Sequence, residues 1–184
     1  MRSPHGWSLL WLPLAVVLAF FYNHQNALGL EPVAKRIGRE GNTAALVIAL
    51  GYLLFLAWRN KDKLLARWVI LVMLVETVVY LAIKGATWGI NIKHHTYGLA
   101  LLPRPSGGDG GFPSGHTAAH VCLAYLLTER YPKLAPLWWF WAALMAWSRV
   151  EAGAHWAYQI VAGAVLGAAV CLTLGKKLSP PPRA

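Results

Sequence analysis

Six stretches of this chain are apolar over lengths that a soluble domain of its size could not bury. They cover residues 7–22, 43–58, 68–83, 114–127, 134–150 and 156–174. A helix needs roughly 20 apolar residues to cross the hydrocarbon core of a bilayer, so flanking polar turns must complete the shorter ones. Composition agrees: of 184 residues, 57% are hydrophobic and only 13% charged, so lipid rather than water is the main solvent. The expectation is an all-α integral membrane bundle of six transmembrane helices, formed by residues 1–184 as one domain. The first stretch follows Arg2 as a signal peptide would, yet no small-x-small cleavage site follows residues 20–24, so it reads as an anchor.

Charge sets the expected orientation. The net charge is +10, but the basic residues lie between apolar runs, where anionic headgroups are nearer partners than nucleic acid. Arg2, Arg59, Lys61, Lys63, Arg67, Arg130, Lys133, Lys176, Lys177 and Arg183 fall on one alternating side, ten in all. The other side holds seven: Lys35, Arg36, Arg39, Lys84, Lys93, Arg104 and Arg149. Basic loops stay inside, so both termini are expected in the cytoplasm, with the second side facing outward. Cys122 and Cys171 lie within apolar runs and suggest no disulfide framework. Residues 179–184, Pro-rich, read as a disordered tail.

Two outward loops are long. Residues 23–42 alternate Leu28, Leu30, Val33 and Ile37 with Glu31, Lys35, Arg36 and Arg39. That spacing fits a short amphipathic periplasmic helix on the membrane surface, or an ordinary solvated loop. Residues 84–113, with Pro-Arg-Pro and a Gly-rich stretch from Ser106 to Gly111, are too polar and broken to enter lipid.

Chemistry concentrates on that outward side. In Phe112-Pro113-Ser114-Gly115-His116-Thr117, a Ser before an apolar run signals a helix N-cap. The backbone N–H groups of Gly115 and His116 then lie at the positive end of a helix, where phosphate binds readily, and Gly115 permits close approach. Ser148-Arg149 ends the fifth apolar run, and His155 precedes the sixth. Lys93 and Arg104 belong to the same side. Arginine forks and a lysine suit phosphate oxygens. One histidine can attack phosphorus, and a second can protonate the leaving group and then activate water. Nothing in this set requires a metal or other cofactor.

Pro113-Ser114-Gly115-His116, Ser148-Arg149 with His155, and Arg104-Pro105 resemble the signature motifs of the type 2 phosphatidic acid phosphatase superfamily. Gly153, Ala162 and Gly163 also resemble its pattern, and the likeness covers about residues 93–167. The resemblance implies a six-helix fold, His155 as nucleophile, and His116 as general acid. It implies a phosphate cradle of Lys93, Arg104, Ser114, Gly115 and Arg149. Ten residues separate Lys93 from Arg104 where the family has six, and Lys84 lies farther off. Gln159 stands where the family places an Asp, four residues after the nucleophile. On a helical turn its amide oxygen can still accept the imidazole N–H, which predicts a slow enzyme; failing that, Glu151 is the next candidate to hold the ring.

The function implied is a metal-independent lipid phosphate phosphatase working through phosphohistidine. Its substrate would be a phosphomonoester or diphosphate such as lipid A phosphate, undecaprenyl pyrophosphate, phosphatidylglycerol phosphate or phosphatidate. Transfer to a second lipid, and non-catalytic binding of lipid phosphate, are the rival readings; the bilayer is the partner, and no obligate protein partner is evident. His116 and His120 are spaced as metal ligands can be, with His94 and His95 nearby, but the Pro-Ser-Gly-His context favours phosphate and leaves His120 a supporting role. Glu76, in the middle of the third run, is costly in lipid and reads either as functional or as a protonated acid bonded to a neighbour. Gly163 and Gly167 read as a helix contact, with Ala118 and Ala119 as candidate partners.

Overall fold

The computed structural model describes residues 28–93, 104–106 and 110–178, and among them all regular structure is helical. The first apolar run, the Pro-rich tail, His94 and His95 lie outside the described residues.

The other five apolar runs all become helices. Helix α1 (Glu31–Arg36) passes through a π-helical turn (Ile37–Gly41) into α2 (Asn42–Arg59), making one rod of 29 residues. Residues 31–41 are therefore helical but do not form a separate surface element. A tight turn follows, with Lys61 at φ 53°. Helix α3 (Lys63–Lys93) starts where the Asp62 carboxylate accepts the Leu65 N–H at 2.9 Å, an N-cap contact. Then come α4 (Gly115–Arg130), a single 3₁₀ turn (Pro132–Leu134), α5 (Ala135–Glu151) and α6 (Ala157–Leu178).

Among the described residues, three segments are long and apolar enough to cross a membrane: Glu31–Arg59, Lys63–Thr87 and Ala157–Gly175. The expectation of six spans is thus met for three. Helices α4 and α5 have 16 and 17 residues, which at 1.5 Å per residue falls short of the roughly 30 Å core. Helix α4 can be short because it is central, packed on α2, α3, α5 and α6 and buried almost continuously from Thr117 to Thr128.

The core lies between α2, α3, α4 and α6, where Trp68, Leu53, Val72, Leu126 and the free Cys122 and Cys171 are enclosed. Trp68 meets Tyr125 edge-on, with centroids 6.3 Å apart. Gly163 and Gly167 bring α6 against α4, at the backbones of Ser114 and Ala118. Glu76 is buried in α3, and Thr77 donates to one of its oxygens at 3.3 Å. Outward faces are apolar: Ile48 is 70% exposed and Trp58 76%, an exterior that suits lipid.

Candidate functional site

Helix α4 begins as its sequence predicts. Ser114 is extended (ψ 106°) and its hydroxyl oxygen accepts from the Thr117 N–H at 3.5 Å and the Thr117 hydroxyl at 3.0 Å. Its own N–H donates to the Gln159 carbonyl at 3.0 Å. The first turn of α4, carrying Gly115 and His116, is thereby tied to the first turn of α6.

The end of α5 is organised as tightly. Gly153 has φ +65°, a conformation that only glycine adopts at little cost. Its N–H donates to the Val150 carbonyl at 2.9 Å, and the Ala154 N–H to the Arg149 carbonyl at 2.9 Å. That pair of bonds is a Schellman motif. The His155 N–H reaches the same Arg149 carbonyl at 3.0 Å, so Arg149 and His155 are locked together through backbone. The Ser106 N–H donates to the Gly153 carbonyl at 3.1 Å, which docks the Arg104-Pro105-Ser106 stretch on the same turn.

His155 is buried, 3% exposed. Its Nδ1 lies 2.8 Å from the Gly111 carbonyl oxygen and 3.2 Å from Gln159 Oε1. Both neighbours are acceptors, so Nδ1 carries the proton and Nε2 is left with its lone pair. The amide of Gln159 cannot usefully flip, because its oxygen also accepts the Trp156 N–H at 3.1 Å while its nitrogen donates to the Tyr158 hydroxyl at 3.3 Å. The expected contact between positions 155 and 159 is thus present. The nearer acceptor, however, is a backbone carbonyl that has no signature in sequence. Burial first, then the charge of Arg149, pushes the His155 imidazole down to about 3, against the opposing hydrogen bond from Gln159. The ring is therefore neutral at physiological pH. Glu151 has other partners: its Oε1 accepts from the N–H groups of Leu28 at 3.2 Å and Leu30 at 3.0 Å.

Cations converge on the two histidines. The charges of Arg149 and Arg104 act on His155, and those of Arg149, Lys84 and Arg104 act on His116. The Nε atoms of Arg104 and Arg149 are buried without a hydrogen-bond partner among the described residues, so both are donors that a bound anion can satisfy. Lys93 is the last residue of α3, and its side chain lies outside the described residues. The lysine seen at the site is Lys84, whose Nζ donates to the Tyr80 hydroxyl at 2.8 Å. Its stem lies against Gly110, and the Tyr80 ring lies against Gly115. Counting residues back from Arg104 favours Lys93; only the packing of α3 reveals Lys84.

The N-terminal rod supplies a wall that the sequence does not disclose. His116 hydrogen-bonds the backbone of Gly38, and the Arg149 guanidinium lies against Gly38, where an added Cβ would displace it. His120 bonds Asn42 through Nε2 at 3.1 Å, a contact that ties the rod to α4. The π turn over Ile37–Gly41 lies at this contact, a common place for such turns.

Residues 86–177, half of the chain, match the PAP2 superfamily. No curated protein and no solved structure matches the chain. The matched span contains Arg104, Ser114, Gly115, His116, Arg149, His155 and Gln159, and the structure brings these residues to one end of the bundle. By that match, and by the motifs it contains, the chain belongs to the PAP2 superfamily.

Proposed function

We propose that this protein is a membrane phosphatase that hydrolyses a lipid phosphomonoester or diphosphate, with its site at the periplasmic face of a bacterial inner membrane. Membership of the superfamily suggests the reaction class, and the apolar helices suit the membrane setting. The observation that carries the reading is His155: a buried, neutral imidazole with Nδ1 on a carbonyl and Arg149 and Arg104 beside it.

In this reading Arg104, Arg149 and Lys84 hold the phosphate oxygens, with the N–H groups of Gly115 and His116 behind them. Lys84 takes the lysine position in preference to Lys93. His155 Nε2 attacks phosphorus, the bond to the leaving oxygen breaks, and His116, carrying a proton taken up with the anionic phosphate, protonates that oxygen. The positive charge that develops on the imidazole is met by the Gly111 carbonyl and the Gln159 amide oxygen. Water, deprotonated by His116, then attacks phosphorus, releasing inorganic phosphate and the neutral imidazole. No step uses a metal.

The test is phosphate release by the purified protein in detergent across a panel of lipid mono- and diphosphates. Turnover should survive chelators, stop with vanadate, and be abolished in His155→Ala together with any acid-labile phosphoenzyme. Activity that chelation removes and zinc or magnesium restores would overturn the mechanism. Tight binding without turnover would replace the enzyme with a carrier.

A further inference from the structure

A cavity of about 440 Å³ opens beside the site, between the N-terminal rod and the ends of α4 and α5. Its wall includes Lys35, Gly38, Arg39 and Asn42 from the rod, with His116 and Arg149 from the other side. The volume lies within the roughly 300–1,000 Å³ of ordinary ligand pockets, more room than a single phosphoryl group fills. His116 lines it and His155 does not. With His155 as nucleophile and His116 as general acid, the cavity therefore lies on the leaving-group side of the reacting phosphorus.

The charge there does not suit an alkyl leaving group. A lipid monophosphate would place an ester oxygen and the start of an apolar tail against Lys35 and Arg39, a poor environment for cations. Lys35 shares its charge with Glu31, one turn away along the rod, so the main weight falls on Arg39. The rod is held in place at its start by Glu151, through the N–H groups of Leu28 and Leu30. Gly38 then seats it against Arg149.

We propose that this cavity is a second anion subsite, in which Arg39 and Lys35 bind the non-reacting phosphate of a lipid diphosphate and make the enzyme selective for diphosphates over monophosphates. The inference rests on the phosphatase reading and adds a specificity device from outside the span that matches the superfamily. His155 Nε2 bonds to the terminal phosphorus. The bond from that phosphorus to the bridging oxygen breaks, and the lipid monophosphate departs with the electron pair. Its charge is held by the rod, which lessens the need for a proton from His116. Water then cleaves the phosphohistidine to inorganic phosphate.

Farnesyl diphosphate and farnesyl phosphate share one tail and test the idea with the full chain in detergent. The parent should show the higher kcat/KM for the diphosphate. In Arg39→Ala the diphosphate-to-monophosphate ratio should fall about tenfold, the scale of one charged phosphate contact, whereas Arg39→Lys should keep most of it. The parent should also bind methylenediphosphonate about tenfold more tightly than phosphate, read as inhibition, a measurement that needs no variant. A ratio unchanged in Arg39→Ala, or equal inhibition by the two anions, would sink the subsite while leaving the phosphatase standing. If the parent cleaves no lipid phosphate of either kind, the phosphatase reading itself has failed.

Discussion

The two nitrogens of His155 have separate fates. Nδ1 is committed to the Gly111 carbonyl and to Gln159, leaving Nε2 as the nitrogen that the proposed reaction uses on phosphorus. In serine-protease triads, changing the acid to an amide costs about 10⁴-fold through the wrong tautomer. Here a backbone carbonyl already selects the tautomer, so Gln159 is an assistant rather than the sole orienter. Gln159→Ala should therefore lower kcat only about tenfold with KM nearly unchanged, the value of roughly one hydrogen bond. Histidine-selective ¹⁵N NMR on the same pair should show His155 as a neutral Nδ1–H ring down to about pH 4, because its value is lowered from 6.5 to about 3. Between those two values the unfolded chain binds a proton that the folded chain does not. This group's contribution is thus fully present above about pH 6.5 and is lost as pH falls toward 3. A midpoint near 6.5, or an Nε2–H tautomer, would contradict the assignment.

At the scale of elements, the Schellman turn after α5 and the rod from α1 to α2 divide the work. The turn holds Arg149 and His155 together through bonds of 2.9 to 3.0 Å. The rod brings Gly38 and Asn42 to His116 and His120, and Glu151 pins its start. Glu151→Ala should speed hydrogen exchange over residues 31–43 and raise KM, while exchange in α4 stays slow. Glu151→Gln keeps an acceptor without the charge and should fall between the two. Acceleration of α4 to the same extent would mean that Glu151 supports the whole bundle rather than the rod. The helices were readable because apolar runs and the Ser114 cap are local signals. The docking of the rod was not, since Leu28, Leu30, Val33 and Ile37 pattern alike for a helix on a membrane and for one against a protein wall. Lys84 was obscured for a related reason: its place depends on how far α3 continues, and spacing from Arg104 pointed to Lys93.

For the whole molecule, alternation of the helices puts the starts of α2, α4 and α6 and the end of α5 at the site. The turns at residues 60–62 and 131–134 lie at the opposite end. In the orientation we propose from the loop charge count, the site end faces the periplasm. In intact cells Ser106→Cys should react with an impermeant maleimide, and Asn60→Cys only after permeabilisation; the native Cys122 and Cys171 are buried and should stay silent. The reverse pattern would move the substrate to the inner leaflet. That Arg104, Ser114, Arg149 and His155 share one end of the bundle was legible from their motifs and from the alternation of apolar runs; the Gly111 carbonyl was not, since any residue supplies one. The single rod of Glu31–Arg59 carries a last implication, for how such a protein diversifies. In the proposed reaction the groups from Arg104 to Gln159 lie within residues 86–177, whereas this wall, like Lys84, lies before them. Substitutions on one helix can then alter which headgroup is admitted while the bond-breaking apparatus stays intact, so new substrates are within reach of a few changes around Lys35 and Arg39.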